Sequence, residues 1–420
     1  MGEVATLLTK AEQALVDGFN EADWLPANDD RKDAIEVLRA NGLPTRRIEA
    51  FHYTDLRARL RDGFRPSARP QVEDAREALG EAKGTRLAFV DGYHFPDLSA
   101  DLPAGVTLRH GLDGLPVASE WSPRDAVEGL NAAFATDGVL IDVEAGTEVA
   151  EPIRLDRAFA GAGGHIAADR SFVHVGEGAR ATFVERHVGP ADRAYMTSAV
   201  TRLKIADRAE ARWIVVQQDG ADATRLARIS AALGEGARLT VFVLNAGGKL
   251  VRQEVFTDVV GEGAHLELGG VNLVGGEMHI DVTTSIDHQV PGATANETFR
   301  NVCTGRGTGV FQGEIKVAQV AQKTDARMAC NTLLLSDECE FNAKPELEIF
   351  ADDVQCAHGA TVADLEDSHL FYLRSRGIPE AEARRLLIRA FVAEVVEELE
   401  DEALVEELEE VIDRWMRANV

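Results

Sequence analysis

Cysteine is scarce: the 420 residues hold four, and no CxxC pair occurs. That excludes a disulfide framework and the paired-thiol zinc and redox motifs. Any metal site has to be assembled by the fold from residues far apart in sequence. Basic charge is also short, with 44 Lys and Arg against 71 Asp and Glu and a formal net charge of −27. A nucleic-acid partner needs a basic face, and an anionic membrane repels a chain of this charge. The acid excess gathers between Glu394 and Asp413, where a solvated helix face is the plain reading. No run approaches the ~20 apolar residues of a membrane helix. The start, Met1-Gly2-Glu3-Val4, lacks the basic region and apolar stretch of a signal peptide. A cytoplasmic chain with reduced thiols is therefore expected. Gly2 with Thr6 matches the outline of a myristoylation signal, but the pattern is short and the net charge opposes it.

Nucleotide motifs are missing as well. Gly305-Arg306-Gly307-Thr308-Gly309 is followed by strand-like Val310 and Phe311, the wrong context for a dinucleotide loop. Gly247-Gly248-Lys249 lacks the spacing and the hydroxyl of a P-loop. There is no GxSxG elbow and no HExxH.

What is present falls into three regions. Residues 1–84 read mostly as helix, with segments Ala5 to Phe19 and Asp30 to Asn41, the second closed by Gly42 as a C-terminal cap. Residues 85–362 are glycine-rich and carry short β-branched runs: Val139 to Val143, Ala181 to Val184, Trp213 to Val216, Leu239 to Leu244 and Leu266 to Leu268. Residues 363–420 are helical again. Asp367 to Arg376 leads to Pro379, and apolar residues then recur at helical spacing: Leu386, Leu387, Phe391, Val395 and Leu399, then Leu404, Leu408, Val411, Ile412 and Trp415. Such amphipathic helices either cap the β region or bind a partner.

The β region repeats. Gly176-Glu177-Gly178-Ala179 recurs as Gly234-Glu235-Gly236-Ala237 and Gly261-Glu262-Gly263-Ala264, with a degenerate copy at Asp207-Arg208-Ala209. The alanines 179, 209, 237 and 264 are spaced by 30, 28 and 27. One such unit cannot bury its own apolar face, so neighbours must stack on it. The period predicts a parallel β-solenoid of roughly nine coils, some 40 Å tall at about 4.8 Å per strand. A β-sandwich is the alternative.

The chemistry concentrates at Asp352-Asp353-Val354-Gln355-Cys356-Ala357-His358-Gly359. Residues two apart on a strand share a face, so Cys356 and His358 can address one target, and both are ligands for iron or zinc. Two ligands fall short of the roughly four that an iron–sulfur cluster takes, so other residues or a partner chain must complete the set. A Cys–His pair is also a common structural feature. Cys303, Cys330 and Cys356 are separated by 27 and 26, near the coil period, which predicts a stacked column of thiols; a buried core stack is the competing explanation. Asp281, Asp287 and His288 leave open a β-helix enzyme acting on polysaccharide through paired carboxylates.

Several longer motifs carry a resemblance. Asn331-Thr332-Leu333-Leu334-Leu335-Ser336, Pro345-Glu346-Leu347-Glu348-Ile349, Asp352 to Thr361, and Leu370-Phe371-Tyr372-Leu373-Arg374-Ser375-Arg376-Gly377-Ile378 resemble the SufB/SufD family of the SUF iron–sulfur cluster assembly system. Gly309-Val310-Phe311-Gln312-Gly313, Ala321-Gln322-Lys323-Thr324 and Asp287-His288 with Pro291 agree. Gly42-Leu43-Pro44-Thr45-Arg46-Arg47 with Tyr53-Thr54-Asp55-Leu56 resembles the SufD branch, while Ala363-Asp364-Leu365-Glu366-Asp367 departs from the usual pattern. The resemblance implies a right-handed parallel β-helix flanked by N-terminal and C-terminal α-helical regions. It implies a non-enzymatic scaffold that pairs with a SufB-like paralogue and binds a SufC-like ABC ATPase, with a homodimer as the option in isolation. A transient iron–sulfur cluster would be shared with the paralogue. His358, and more weakly Cys356, would face that cluster, and Phe371, Tyr372, Arg374, Arg376, Leu386 and Phe391 would serve the partner-binding surface. Whether a flavin takes part stays open at this level.

Overall fold

The computed structural model describes residues 7–25, 29–81, 83–112 and 122–420. The Gly2 and Thr6 pattern, and the first residues of the helix expected from Ala5, lie outside them. The chain is mainly β, a parallel solenoid of about eight turns with helices at both chain ends. Each turn gives one strand to each of two ten-stranded sheets. Met196–Ile205, Thr224–Leu233 and Leu250–Val259 are successive strands of the first sheet, and Glu210–Gln218, Arg238–Asn245 and His265–Val274 of the second. Among the described strands only two pairings are antiparallel: Thr85–Val90 with Tyr93–His94, and Val106–His110 with Asp137–Val143. A sandwich is thereby excluded. The turn count falls below nine because the stretch before Asp137 forms these pairings and the helix Ala126–Phe134, an element the sequence pattern did not reveal.

The repeat marks one corner of the coil. Its third position takes a left-handed backbone, with φ of 64° at Gly178, 60° at Gly236 and 66° at Gly263. The degenerate copy puts Arg208 there at 56°, and Lys323 occupies a later corner at 63°. Each of these two side chains forms an ion pair with a neighbouring corner, Arg208 with Glu177 and Lys323 with Asp353. The repeat alanines are buried at 1% exposure or less and belong to the core of the coil. Their carbonyls join the coils: Glu210 N–H donates to Ala179 O at 2.8 Å, and Arg238 N–H to Ala209 O at 2.8 Å.

Strict alternation sends Val, Ile, Leu and Phe from both sheets into one long core. A polar file runs through it: Asn245 Nδ2 donates to Asn272 Oδ1 and Asn272 Nδ2 to Asn301 Oδ1, each at 2.8 Å. Asn301 continues to the Thr332 hydroxyl at 3.2 Å. Stacked amides satisfy one another, which removes much of the cost of burying them.

Each outer sheet face has its own cover. The helices Lys10–Glu21, Asp29–Asn41 and Ala126–Phe134 pack on early turns of the first sheet. Thr9 and Glu12 form a reciprocal cap that starts the first helix. Gly42 ends the second at φ 70°, and a Cβ there would lie 2.7 Å from the Glu12 carboxylate. From Gly42 the chain crosses the first sheet, burying Phe51 under the Arg252 guanidinium at 4.1 Å and setting the Thr54 hydroxyl 2.8 Å from His279 Nε2. At the other end of the chain, Glu380–Glu397 and Glu402–Asn419 lie on the outer face of the second sheet. Ile388, Val392, Leu404, Leu408 and Trp415 are buried against Ile214, Phe242 and Val271. The apolar run from Leu404 to Trp415 is thus a cover for the solenoid.

A candidate docking end and its ligand pair

The last turn is built from Glu340–Ile349 in the first sheet and Gln355–Asp364 in the second. Both stand at the end of their sheets, and no described strand follows them. In the preceding strand, Asp325–Leu334, alternation turns Ala326, Met328, Cys330 and Thr332 inward. The parallel register then sets Cys356 beside Ala326 and His358 beside Met328. Cys356 and His358 therefore share the inward face, as their spacing predicts. With no further turn above them that face is open: Cys356 is half-buried and His358 exposed. Burial raises the Cys356 thiol pKa, which keeps it protonated at neutral pH. Asp352 and Asp353 are exposed, with Asp353 paired to Lys323.

The predicted thiol column does not form. The register places Cys330 beside Phe299 on one side and Ala360 on the other, and Cys303 beside Leu334. The reason is that the last turns lengthen. Thr294 pairs with Asp325 and Asp325 with Gln355, offsets of 31 and 30, where Arg238 pairs with His265 at an offset of 27. Cysteines 27 and 26 apart thus drop out of line. Burial also pushes the Cys330 thiol up to about 12 and raises that of Cys303. Both are core thiols, and Cys339 Sγ packs 3.4 Å from the Cys303 carbonyl. Among the described residues, no group of three or more His, Cys, Asp or Glu is arranged to hold a metal ion. Cys356 and His358 at the open end thus have no third such side chain grouped with them among the described residues.

The carboxylates considered for polysaccharide chemistry do not converge. Asp281 is fully buried in an ion pair with Arg252 at 2.5 Å. Asp287 sits six residues along the same strand, about 20 Å away. A glycosidase pair needs about 5–10 Å.

The other singled-out residues lie beyond the last strand. The helix Asp367–Ser375 buries none of its residues. Phe371 is 74% exposed, Tyr372 56% and Leu386 43%. The Arg376 guanidinium lies over the Tyr372 ring at 5.2 Å, and Arg374 pairs with Glu380 at 3.4 Å. Phe391 is half-buried in the helical cover, with Arg300 over its ring at 5.3 Å. A groove of about 790 Å³ runs along the outer face of the second sheet beside Val395 to Glu400 and ends at Ala357 and Gly359. Sequence reasoning did not single out Glu297 or Met328, which lie directly beneath His358 in the same inward file. The alternation of Ala295, Glu297 and Phe299 was the available signal, since it sets a carboxylate among core residues.

Comparison with known proteins adds the following. The family described as the SUF system FeS cluster assembly SufBD core domain matches residues 158–391. The chain is 31% identical over 396 residues to the iron–sulfur cluster assembly protein SufD of Escherichia coli, covering 92% of this chain and 93% of that one. It is 28% identical over 411 residues to an iron–sulfur cluster assembly SufBD family protein of Synechocystis, covering 92% and 90%. It is also 28% identical over 394 residues to the chloroplastic protein ABCI7 of Arabidopsis thaliana, covering 89% and 82%.

Proposed function

This chain belongs to the SufB/SufD family, on its SufD side, and has its role in iron–sulfur cluster assembly; from that premise we propose that it is a non-enzymatic scaffold whose open end docks a SufB-like paralogue. The observation that carries the reading is the asymmetry of the two edge strands. Glu340–Ile349 is guarded, with Pro345, Lys344, Glu346 and Glu348 along it. Charge and proline on an edge block the addition of another strand. Gln355–Asp364 reads Gln-Cys-Ala-His-Gly-Ala-Thr-Val-Ala-Asp, with small residues and no proline or lysine. Such an edge pairs readily with a strand of another chain. A partner strand there would set its own side chains beside Cys356 and His358 and could complete their ligand set. A transient iron–sulfur cluster is then cargo held between two chains. In the partner's absence the same edge would allow a homodimer.

The second contact is energetic. Phe371, Tyr372, Arg374, Arg376 and Leu386 form an exposed aromatic and basic surface, suited to a SufC-like ATPase. Nucleotide-driven movement of that partner would bias the open end between two arrangements through differential binding. The setting is cytoplasmic on this reading, and no helix among the described residues is long and apolar enough to cross a membrane.

The test is His358→Ala in cells, with the complex purified without oxygen. Because His358 is exposed, the variant should fold and assemble normally while its cluster content falls several-fold. Normal cluster content in a normally assembled complex would reduce His358 to a structural residue.

A further inference from the structure

Glu297 is a buried titratable group that docking leaves unused. It points inward between Ala295 and Phe299 and is 1% exposed. Neither carboxylate oxygen meets a partner in good hydrogen-bond geometry. An ionised carboxylate left bare in a core costs several kcal/mol, so the group is held as the neutral acid. Burial pushes its pKa up to about 8, and the Thr284 hydroxyl from the first sheet offsets only part of that. From the next turn of its own sheet it is faced by Cys330, whose thiol it helps to raise.

Its position gives the acid an exit. The register puts Glu297 beside Met328 and Met328 beside His358, so one side chain separates the carboxyl from the open end. The Met328 thioether fills a hollow over Gly313 of the first sheet, where a Cβ would come 2.7 Å from its Sδ and Cε. Methionine is unbranched, with three rotatable bonds, and suits a movable plug. The Thr284 hydroxyl is the one polar group that holds the carboxyl back when it turns.

We propose that Glu297 is a concealed acid of the open end, a proton donor uncovered when Met328 swings out of the hollow over Gly313. The inference rests on the docking reading above and deepens it. The acceptor is a thiolate or sulfide sulfur delivered to the end of the solenoid. The carboxyl O–H bond breaks, an S–H bond forms at the acceptor, and the carboxylate left behind is hydrated through the space Met328 vacates. The reverse transfer restores the acid.

Infrared spectroscopy of the full chain carrying carbon-13 glutamate tests the resting state. A protonated-carboxyl band is expected at pH 7, absent in Glu297→Gln, with a titration midpoint near 8. Met328→Ala should hydrate the site and move that midpoint down toward the ordinary carboxylate range near 4.3. No band at pH 7, or a midpoint that ignores Met328→Ala, overturns the proposal. Glu297→Leu serves as a second reference should the glutamine variant fail to fold. In the co-purified complex, Glu297→Gln should displace the pH profile of retained iron and sulfide by at least one unit at unchanged complex yield. An unmoved profile in an assembled complex sinks the proposal alone. A wild-type chain that never pairs with its paralogue sinks the docking reading, and the sulfur acceptor with it.

Discussion

At the scale of single residues, chemistry here follows from where a side chain stands in the stack. His358 and Met328 are register neighbours on one face, yet one meets water and the other is buried, because only one has a turn above it. Glu297, one turn deeper, has its pKa raised to about 8. A raised carboxyl pKa means that the folded state favours the protonated form. The stability it contributes is whole below the unfolded value near 4.3 and is lost as pH rises through the folded one. The wild-type chain should therefore lose stability between about pH 5 and 8, by up to roughly 1.4 kcal/mol per unit, relative to Glu297→Gln. Urea melts of both proteins at pH 5.5 and 8 check this, and parallel pH profiles would contradict it. The spacing of Cys356 and His358 was readable in the sequence. That of the cysteine column misled, because side-chain alignment depends on the length of each turn and the loops set that length.

At the scale of elements, the corners decide whether the stack forms. Gly236 sits at φ 60° with only an ordinary 3.7 Å contact to the Arg208 side chain in the way of a Cβ. Gly236→Ala should therefore cost only the backbone strain, roughly 1–2 kcal/mol, read as a lower urea midpoint at unchanged slope. The terminal strand offers a second expectation. Val362 is 45% exposed on the unguarded edge, and Val362→Lys should leave monomer stability within about 0.5 kcal/mol while abolishing pairing with the paralogue in co-purification. The glycine repeat revealed the corners in advance. The helix Ala126–Phe134 carried no comparable signal: it is short, lies within a glycine-rich stretch, and is held in place by its packing on the first sheet.

At the scale of the whole molecule, the C-terminal helices divide into a buried cover and an exposed surface, which their sequence does not separate. Leu404, Leu408, Val411, Ile412 and Trp415 are all buried on the second sheet, whereas Phe371, Tyr372 and Leu386 are exposed. Truncation after residue 378 would uncover the sheet and destabilise the chain, so loss of a partner in that variant would carry little meaning. Phe371→Ala with Tyr372→Ala is the informative change. It should leave the melting temperature within about 2 °C and abolish retention of the ATPase on immobilised chain. Leu408→Ala should instead cost about 2–5 kcal/mol, measured by urea melts, because that side chain is buried between helix and sheet.

The sequence alone determined the parallel solenoid, its helical ends and the Cys356–His358 pair. Period-two alternation and left-handed glycine corners are local properties that a single chain displays without its neighbours. Tertiary structure alone decided that the thiols fall out of line, that one edge is guarded and the other bare, and that an unpaired acid lies beneath the open end. Each of these depends on which residue of one turn meets which residue of the next, and that offset accumulates through loops whose lengths follow no period.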